Sequence, residues 1–248
     1  MLIEERNVPS LSETFGDQIS IVIPTYNEAG NIGRLVKHLK KIQNDYLLEI
    51  IVADGGSSDN TVEEAREAGA TVVLSPEKGR AAQMNAGAEG ARGGIIYFLH
   101  SDTFPPENYD EMIVQSISCH NPWGSFRMKF DHPHWFLTFV TWFTRLSFTF
   151  FRFGDQSLFV KKELFDTIGK FDPSQIIFED VELARRLSLS SKGKILPIPV
   201  ITSARKFRDN GIYKMFLIFS YLWILYVLRV PHNKILDIYK RLIIQDKI

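Results

Sequence analysis

Apolar and polar positions fall in alternating blocks along the first hundred residues. Ile19 to Ile23 is an apolar, β-branched run stopped by Pro24, and the polar stretch Thr25 to Asn31 leads into a helical pattern over Ile32 to Lys41. Leu48 to Ala53 repeats the run and ends at Asp54-Gly55-Gly56-Ser57-Ser58-Asp59, where Asn60 and Glu63 have capping-box spacing for a helix to about Ala68. Thr71 to Leu74 is a third run. After Lys78-Gly79-Arg80 comes a segment rich in small residues (Ala81, Ala82, Ala86, Gly87, Ala88, Ala91), predicted to be a helix lying close on a sheet. Ile95 to Leu99 follows, five consecutive apolar residues that end abruptly at His100, Ser101 and Asp102. Strands apolar on both faces belong to a mostly parallel sheet covered by helices, and ligands collect at the carboxyl ends of such strands. The expected class is α/β, a Rossmann-like, mostly parallel sheet with helices on both faces.

Beyond Pro105 the periodicity weakens. Trp135 to Phe153 is aromatic-rich and interrupted by Arg145 and Arg152. Phe159 to Phe171 reads as a short strand, a helix and a stop at Gly169. Phe178-Glu179-Asp180-Val181-Glu182 opens a helix to about Leu189, and Lys194 to Thr202 is an extended, Pro-punctuated segment near a sheet edge. Arg205, Lys206 and Arg208 read as a basic loop. Met215 to Leu228 is almost wholly apolar, and Lys234 to Ile243 has amphipathic helical spacing. The expected organisation is a tail over 1–17, one domain over 18–210 and a C-terminal helical segment over 211–248. The domain divides into a nucleotide-binding half, 18–104, and an acceptor half, 105–210.

Composition narrows the classes. With 248 residues, 45% of them hydrophobic, the chain can bury one large core. Lys+Arg and Asp+Glu both total 29, so charge gives no case for nucleic acid as a partner. The single cysteine, Cys119, cannot form an internal disulfide, and residues 1–17 lack an apolar h-region, which fits a cytoplasmic setting. Met215 to Leu228 is shorter than the roughly 20 residues a helix needs to span a bilayer. Core helices and interfacial helices both remain open there, the second implying peripheral contact with the inner face of the cell membrane.

Several strand ends carry polar loops: Asn27 and Glu28, Asp54 and Asp59, and Asp102. Carboxylates gathered at one sheet edge can read a nucleobase and ribose, or hold a hard divalent cation against a diphosphate. Gly79-Arg80 before a helix adds donors and positive charge for phosphate oxygens. Asp180 at a helix start could accept a proton from an attacking hydroxyl.

Ile21 to Glu28, Val52 to Thr61, Gly79 to Gly87, Phe98 to Thr103, and Glu179-Asp180-Val181-Glu182-Leu183 with Arg185-Arg186 together resemble the family 2 glycosyltransferases of GT-A fold. The resemblance spans roughly Ile19 to Arg208 in the right order. It implies an inverting, metal-dependent transfer of a sugar from a nucleotide-diphosphate donor, UDP-type, to a hydroxyl or carboxyl of an acceptor it does not identify; interfacial helices at 135–153 and 215–228 would suit a lipid-like one. It implies that Pro24, Thr25, Asn27, Glu28, Asp54, Arg80, His100, Ser101 and Arg205 line the nucleotide sugar. Asp102 would hold Mg²⁺ or Mn²⁺, and Asp180 would be the general base. One departure concerns the Asp-x-Asp signature: His100 stands at its first position, which bears on the ribose contact more than on the metal. The His-x-Asp-Thr version, with Gly154-Asp155-Gln156 and Ser203-Ala204-Arg205, resembles a subgroup of small bacterial members, and it makes Asp155 and Gln156 acceptor contacts.

Each assignment has a plainer rival. Asp54 can be a turn residue, and Asp59 is read as a helix cap rather than a ligand contact. Glu182 reads as surface. His100 can be a satisfied histidine, a ribose contact or a metal ligand, in that order, and His132 and His134 read as loop. Arg205 and Lys206 face either the donor diphosphate or solvent. A sugar-phosphate nucleotidyltransferase would need a glycine-rich basic loop where Pro24 to Glu28 stands, and a dinucleotide oxidoreductase would need Gly-x-Gly-x-x-Gly after a strand. The remaining alternative is a catalytically degenerate nucleotide-sugar-binding protein, motivated by His100.

Overall fold

The computed structural model describes residues 15–41, 45–145 and 156–243. Strands β1 (Phe15–Thr25), β2 (Leu47–Asp54), β3 (Thr71–Leu74) and β4 (Gly93–Phe98) alternate with helices α1 (Ile32–Lys41), α2 (Thr61–Glu67) and α3 (Arg80–Glu89). After the two-residue strand β5 (Thr103–Phe104) come α4 (Tyr109–Ser118), β6 (Trp123–Phe130), α5 (Trp135–Trp142), β7 (Leu158–Lys161), α6 (Lys162–Thr167), α7 (Glu179–Ser190) and β8 (Lys194–Thr202). Three helices close the chain: α8 (Arg205–Asn210), α9 (Ile212–Val227) and α10 (His232–Leu242). β1 opens at Phe15, inside the stretch read as a tail.

The strands form one sheet in the order β3-β2-β1-β4-β7-β6-β8-β5. The β3-β2-β1-β4 half is parallel throughout, so the ends of β1, β2 and β4 reach one edge of the sheet. β7 runs antiparallel between β4 and β6, and β6 and β8 are parallel. The period-2 alternation of a strand sorts its residues onto two cores. Ile19, Ile21 and Ile23 of β1 with Ile95 and Tyr97 of β4 pack against Leu35 and Leu39 of α1 and Tyr109 and Ile113 of α4. Val22, Ile96 and Phe98 face the other way, onto Met84 of α3 and Leu183 and Leu187 of α7. Both faces of β1 and β4 are thus buried, and the run of apolar residues needs no polar alternation.

Small residues let α3 lie close. A Cβ at Gly87 would stand 2.5 Å from a methyl of Val22. A third core, built from Met215, Ile218, Leu222, Ile235 and Tyr239, joins α9 to α10. No helix among the described residues is long and apolar enough to cross a membrane.

Several local expectations are corrected. Asn60 makes no side-chain cap for α2. Asp59 caps instead, accepting from the Thr61 amide at 3.1 Å and from the Thr61 hydroxyl. Arg205, Lys206 and Arg208 lie on the short helix α8 rather than in a loop. Glu182 is not a surface residue: its carboxylate grips Arg186 at 2.6 Å, and Arg186 also donates to the carbonyls of Ile168 and Lys170.

Candidate functional site

The site is built first by β1 and β2, whose ends sit side by side because Thr25 pairs with Asp54 across the parallel ladder. Gln83 of α3, buried beneath them, donates to the carbonyls of Thr25 (2.6 Å) and Ala53 (3.0 Å), which locks the two ends together. Pro24 is buried as the last but one residue of β1. The Thr25 hydroxyl is buried and makes no hydrogen bond within the described protein. An unsatisfied buried hydroxyl is costly, and a bound ligand is one way to satisfy it.

The loop after β1 is pinned by the loop after β2. Asn27 sits in the left-handed region (φ 52°), which asparagine tolerates, and its side-chain oxygen accepts from the Ser58 amide at 2.9 Å. The Glu28 amide donates to the Thr61 hydroxyl at 2.8 Å, and its carboxylate accepts from Asn31 at 2.9 Å. Asp59 reaches across to the Ala29 amide at 3.1 Å. Burial is the largest single influence on the Asp59 carboxylate and disfavours it, but its hydrogen bonds to Thr61 and Ala29 together outweigh that and hold it below the usual carboxylate range. Asp54 is only 1% exposed and accepts from the amides of Gly56 and Ser57, both at 2.9 Å, and from the Ser57 hydroxyl at 2.5 Å. It therefore closes its own turn, the plainer of its two readings, and any ligand contact is made by whatever accepting capacity is left.

β4 delivers His100, Ser101 and Asp102 to the same edge, since Leu99 donates to the Val22 carbonyl and extends the pairing with β1. Ser101 is buried, while His100 and Asp102 are half-buried. The Asp102 carbonyl accepts from the Ser203 amide at 3.2 Å, so the chain leaving β8 folds over this point. Two residues on, the Arg205 guanidinium stands 3.6 Å from the Glu28 carboxylate, across the mouth of the loop after β1. Lys206 turns away to the Tyr239 hydroxyl at 2.9 Å.

The second half contributes α7. Asp180 lies half-buried in its first turn, after Phe178 in the left-handed region (φ 67°). Next to it is a residue whose role the sequence concealed. Glu179 is 1% exposed, with Arg80 Nε 2.8 Å from its Oε1, so the start of α3 and the start of α7 meet. Neither carboxyl oxygen makes a well-aligned hydrogen bond despite that close approach. Burial pushes the Glu179 carboxyl up to about 7, with Asp180 adding repulsion, while Arg80 and His100 pull the other way. Burial prevails because Arg80 is half in water, where its charge is screened. That His100 acts on Glu179 also joins the end of β4 to the start of α7. In the sequence Glu179 was one acid of three at a helix start, and nothing local announces a partner 99 positions away.

Gln156 is buried just before β7, which runs antiparallel to β4 and so brings it to the same edge. Its side-chain oxygen lies 3.5 Å from the Ser125 hydroxyl. Asp155 lies outside the described residues. His134 caps α5, its Nδ1 accepting from the Phe136 amide at 3.3 Å, which gives that histidine a structural role. A cleft of about 580 Å³ opens between the end of β6 and α5, lined by Lys129, Asp131, His132, Leu137, Thr141 and Ile201. Asp131 accepts from the Ala204 amide at 2.8 Å and ties that cleft to the loop over Asp102.

Could this edge hold a metal? Among the described residues no three His, Cys, Asp or Glu side chains gather into a cage. Asp102 alone fits the kind of Mg²⁺ or Mn²⁺ site in which one protein carboxylate holds the ion and substrate phosphates and water complete its shell.

Comparison with known proteins gives the family and the fold. The family described as glycosyl transferase family 2 matches residues 20–167, more than half of the chain. Glycosyltransferase AglE of Haloferax volcanii is 32% identical over 107 residues, 40% of this chain and 35% of that protein. Undecaprenyl-phosphate 4-deoxy-4-formamido-L-arabinose transferase of Pseudomonas aeruginosa is 27% identical over 129 residues, 48% of this chain and 38% of that protein. The chain thus spans little more than a third of the length of these relatives. Among solved structures, the mannosyltransferase PcManGT of Pyrobaculum calidifontis, in complex with GDP-Man and Mn²⁺, superposes with a TM-score of 0.64 at 19% identity, over 91% of this chain and 69% of that one. TarS of S. aureus in complex with UDP gives 0.60 at 18% identity, over 75% and 60%. These likenesses establish the GT-A fold.

Proposed function

Since the chain belongs to glycosyl transferase family 2, we propose that it moves a sugar, with inversion, from a UDP-type nucleotide donor to a hydroxyl or carboxyl of a lipid-like acceptor. The observation that most supports this is the shared sheet edge. There the loops after β1, β2 and β4 meet Arg205 from beyond β8 and the Arg80–Glu179 pair at the start of α7. Relatives with this family's sequence act on undecaprenyl phosphate, and structural neighbours bind UDP or GDP-Man, which keeps both the lipid acceptor and the nucleotide within the proposal.

The nucleoside lies against Pro24, Thr25, Asn27, Glu28 and Asp54, with the unpartnered Thr25 hydroxyl taking a polar atom of the base or ribose. His100 and Ser101 border the ribose, and Arg80 and Arg205 carry positive charge toward the diphosphate. A divalent cation held by Asp102, Mg²⁺ or Mn²⁺, would act as a Lewis acid toward the charge of the departing diphosphate. Gln156 and Asp155 orient the acceptor. Asp180 accepts the proton of the attacking oxygen as that oxygen bonds to the anomeric carbon and the bond to the diphosphate breaks. Membership of the small subgroup with His-x-Asp-Thr, and work at the inner face of the cell membrane as a peripheral protein, belong to the same reading. His100 favours one rival: a degenerate protein that binds UDP and metal yet shows neither transfer nor slow donor hydrolysis.

Asp180→Asn decides between them. It is expected to keep the thermal shift produced by UDP with Mn²⁺ while turnover of the nucleotide sugar, including slow hydrolysis, falls about 10²-fold or more. Turnover equal to that of the unmodified protein would remove Asp180 from the role of base, and an unmodified protein without any turnover across UDP- and GDP-sugars would favour the rival.

A further inference from the structure

Helix α9 breaks the rule that a surface helix turns charged residues to water. Met215, Ile218 and Leu222 face the core it shares with α10. The opposite side carries Tyr213, Leu217, Tyr221, Ile224 and Leu228, all exposed, with Leu217 at 68%. Lys214 is the single charged side chain within the helix, and Arg229 follows its end. Helix α5 repeats the pattern: Trp135, Phe139 and Trp142 form one exposed stripe at helical spacing, Trp135 at 69%. The two stripes adjoin, because Phe136 packs on Tyr213 and Phe216 with ring centroids 5.1 Å apart.

The geometry points to an anionic lipid bilayer as the occupant of this joined α5–α9 face. Three features select it over a second copy of the chain. The charged side chains at the two ends of the α9 stripe, Lys214 and Arg229, are both exposed and both basic. A twofold dimer through this face would set one copy's basic ends against the other's, whereas an anionic surface complements them. The exposed side chains include Trp135, Trp142, Tyr213 and Tyr221, the residue types that settle at the boundary between hydrocarbon and headgroup. The face also adjoins the site. Phe178, two residues before Asp180, packs on Trp223 and Tyr226 of α9 at 5.4 and 5.1 Å. The cleft that Asp131 ties to the loop over Asp102 is walled by Leu137 and Thr141 of α5. A bilayer against α5 and α9 therefore lies next to the acceptor half. The inference deepens the transferase reading, on which it rests for the identity of that half.

Vesicle flotation of the full chain tests it, with phosphatidylcholine vesicles and with the same vesicles containing phosphatidylglycerol. The protein is expected to float with the anionic vesicles, weakly with the neutral ones, and to be released as salt is raised. Leu217→Glu combined with Ile224→Glu, both side chains already in water, is expected to keep the melting temperature and weaken binding about tenfold or more. The proposal is overturned if the protein does not float with anionic vesicles or if the double variant floats as well as the parent. A dimer in solution that the double variant dissolves would likewise overturn it, since a second copy would then cover the face. The thermal shift with UDP and Mn²⁺ is read in parallel. If it persists when docking fails, the transferase reading stands; if it is absent, that reading fails whatever the vesicles show.

Discussion

Glu179 shows how a single side chain can tie the two halves of the molecule together at an energetic cost. A carboxyl 1% exposed, with burial pushing it up to about 7, holds its proton in the folded protein well above the pH at which the unfolded chain releases it. The sign follows from linkage. Between about 4.5 and about 7 the native state binds more protons than the unfolded one, so stability is greatest below that window and falls as pH rises through it. Glu179→Gln removes the titration while keeping the shape. Its stability is expected to stay level across the window where the parent declines, and thermal unfolding at a series of pH values reads this directly. A parallel decline in both proteins would mean that Glu179 titrates normally. At this scale the sequence was legible for the cap at Asp59, which is set by a neighbour two positions away, but nearness alone was not enough: the capping box at Asn60 did not form, and Glu182 turned out to grip Arg186 one turn on. It was opaque for Arg80–Glu179 and for Gln83, whose partners are set by the packing of distant elements.

Among the elements, legibility tracked burial on both faces. β1, β2, β4 and α3 were readable because apolar runs and small residues leave little else they could be. The packing of α3 offers a direct test. Gly87→Leu places a side chain where even a Cβ would stand 2.5 Å from Val22, so α3 must lift from the sheet. A loss of about 1 to 3 kcal/mol is expected from overpacking of this kind, measured by urea denaturation, together with weaker UDP binding because Gln83 rides on the same helix. Equal stability would show that α3 lies farther from β1. The elements that escaped were α4 and β6. In α4 the buried face includes Asp110 and Ser116, and in β6 it includes Gly124 and Ser125, so polar and small residues sit at core positions and erase the period. Helix α8 escaped because six residues dense in charge carry no apolar period to read.

For the whole molecule, the order of strands does what no stretch of sequence can. Asn27, Asp54 and Asp102 come from three separate strand–helix units, and they share an edge because β2, β1 and β4 are parallel neighbours. The antiparallel β7 and the return after β8 then bring Gln156 and Arg205 to that edge from the other half. A site assembled this way has too few of its own donors to cage a metal among the described residues, so metal and nucleotide should bind as partners rather than independently. Mn²⁺ or UDP alone is expected to raise the melting temperature little, and the two together by more than the sum, since a ligand stabilises in proportion to its affinity for the native state. Asp102→Ala should abolish the excess while leaving the smaller effect of UDP, because the proposed nucleoside contacts lie at the ends of β1 and β2 and in the loop after β1. Chelation by EDTA should mimic the variant. Strictly additive shifts in the parent, or an excess surviving in Asp102→Ala, would place the metal away from Asp102, and with it the diphosphate of the proposed donor.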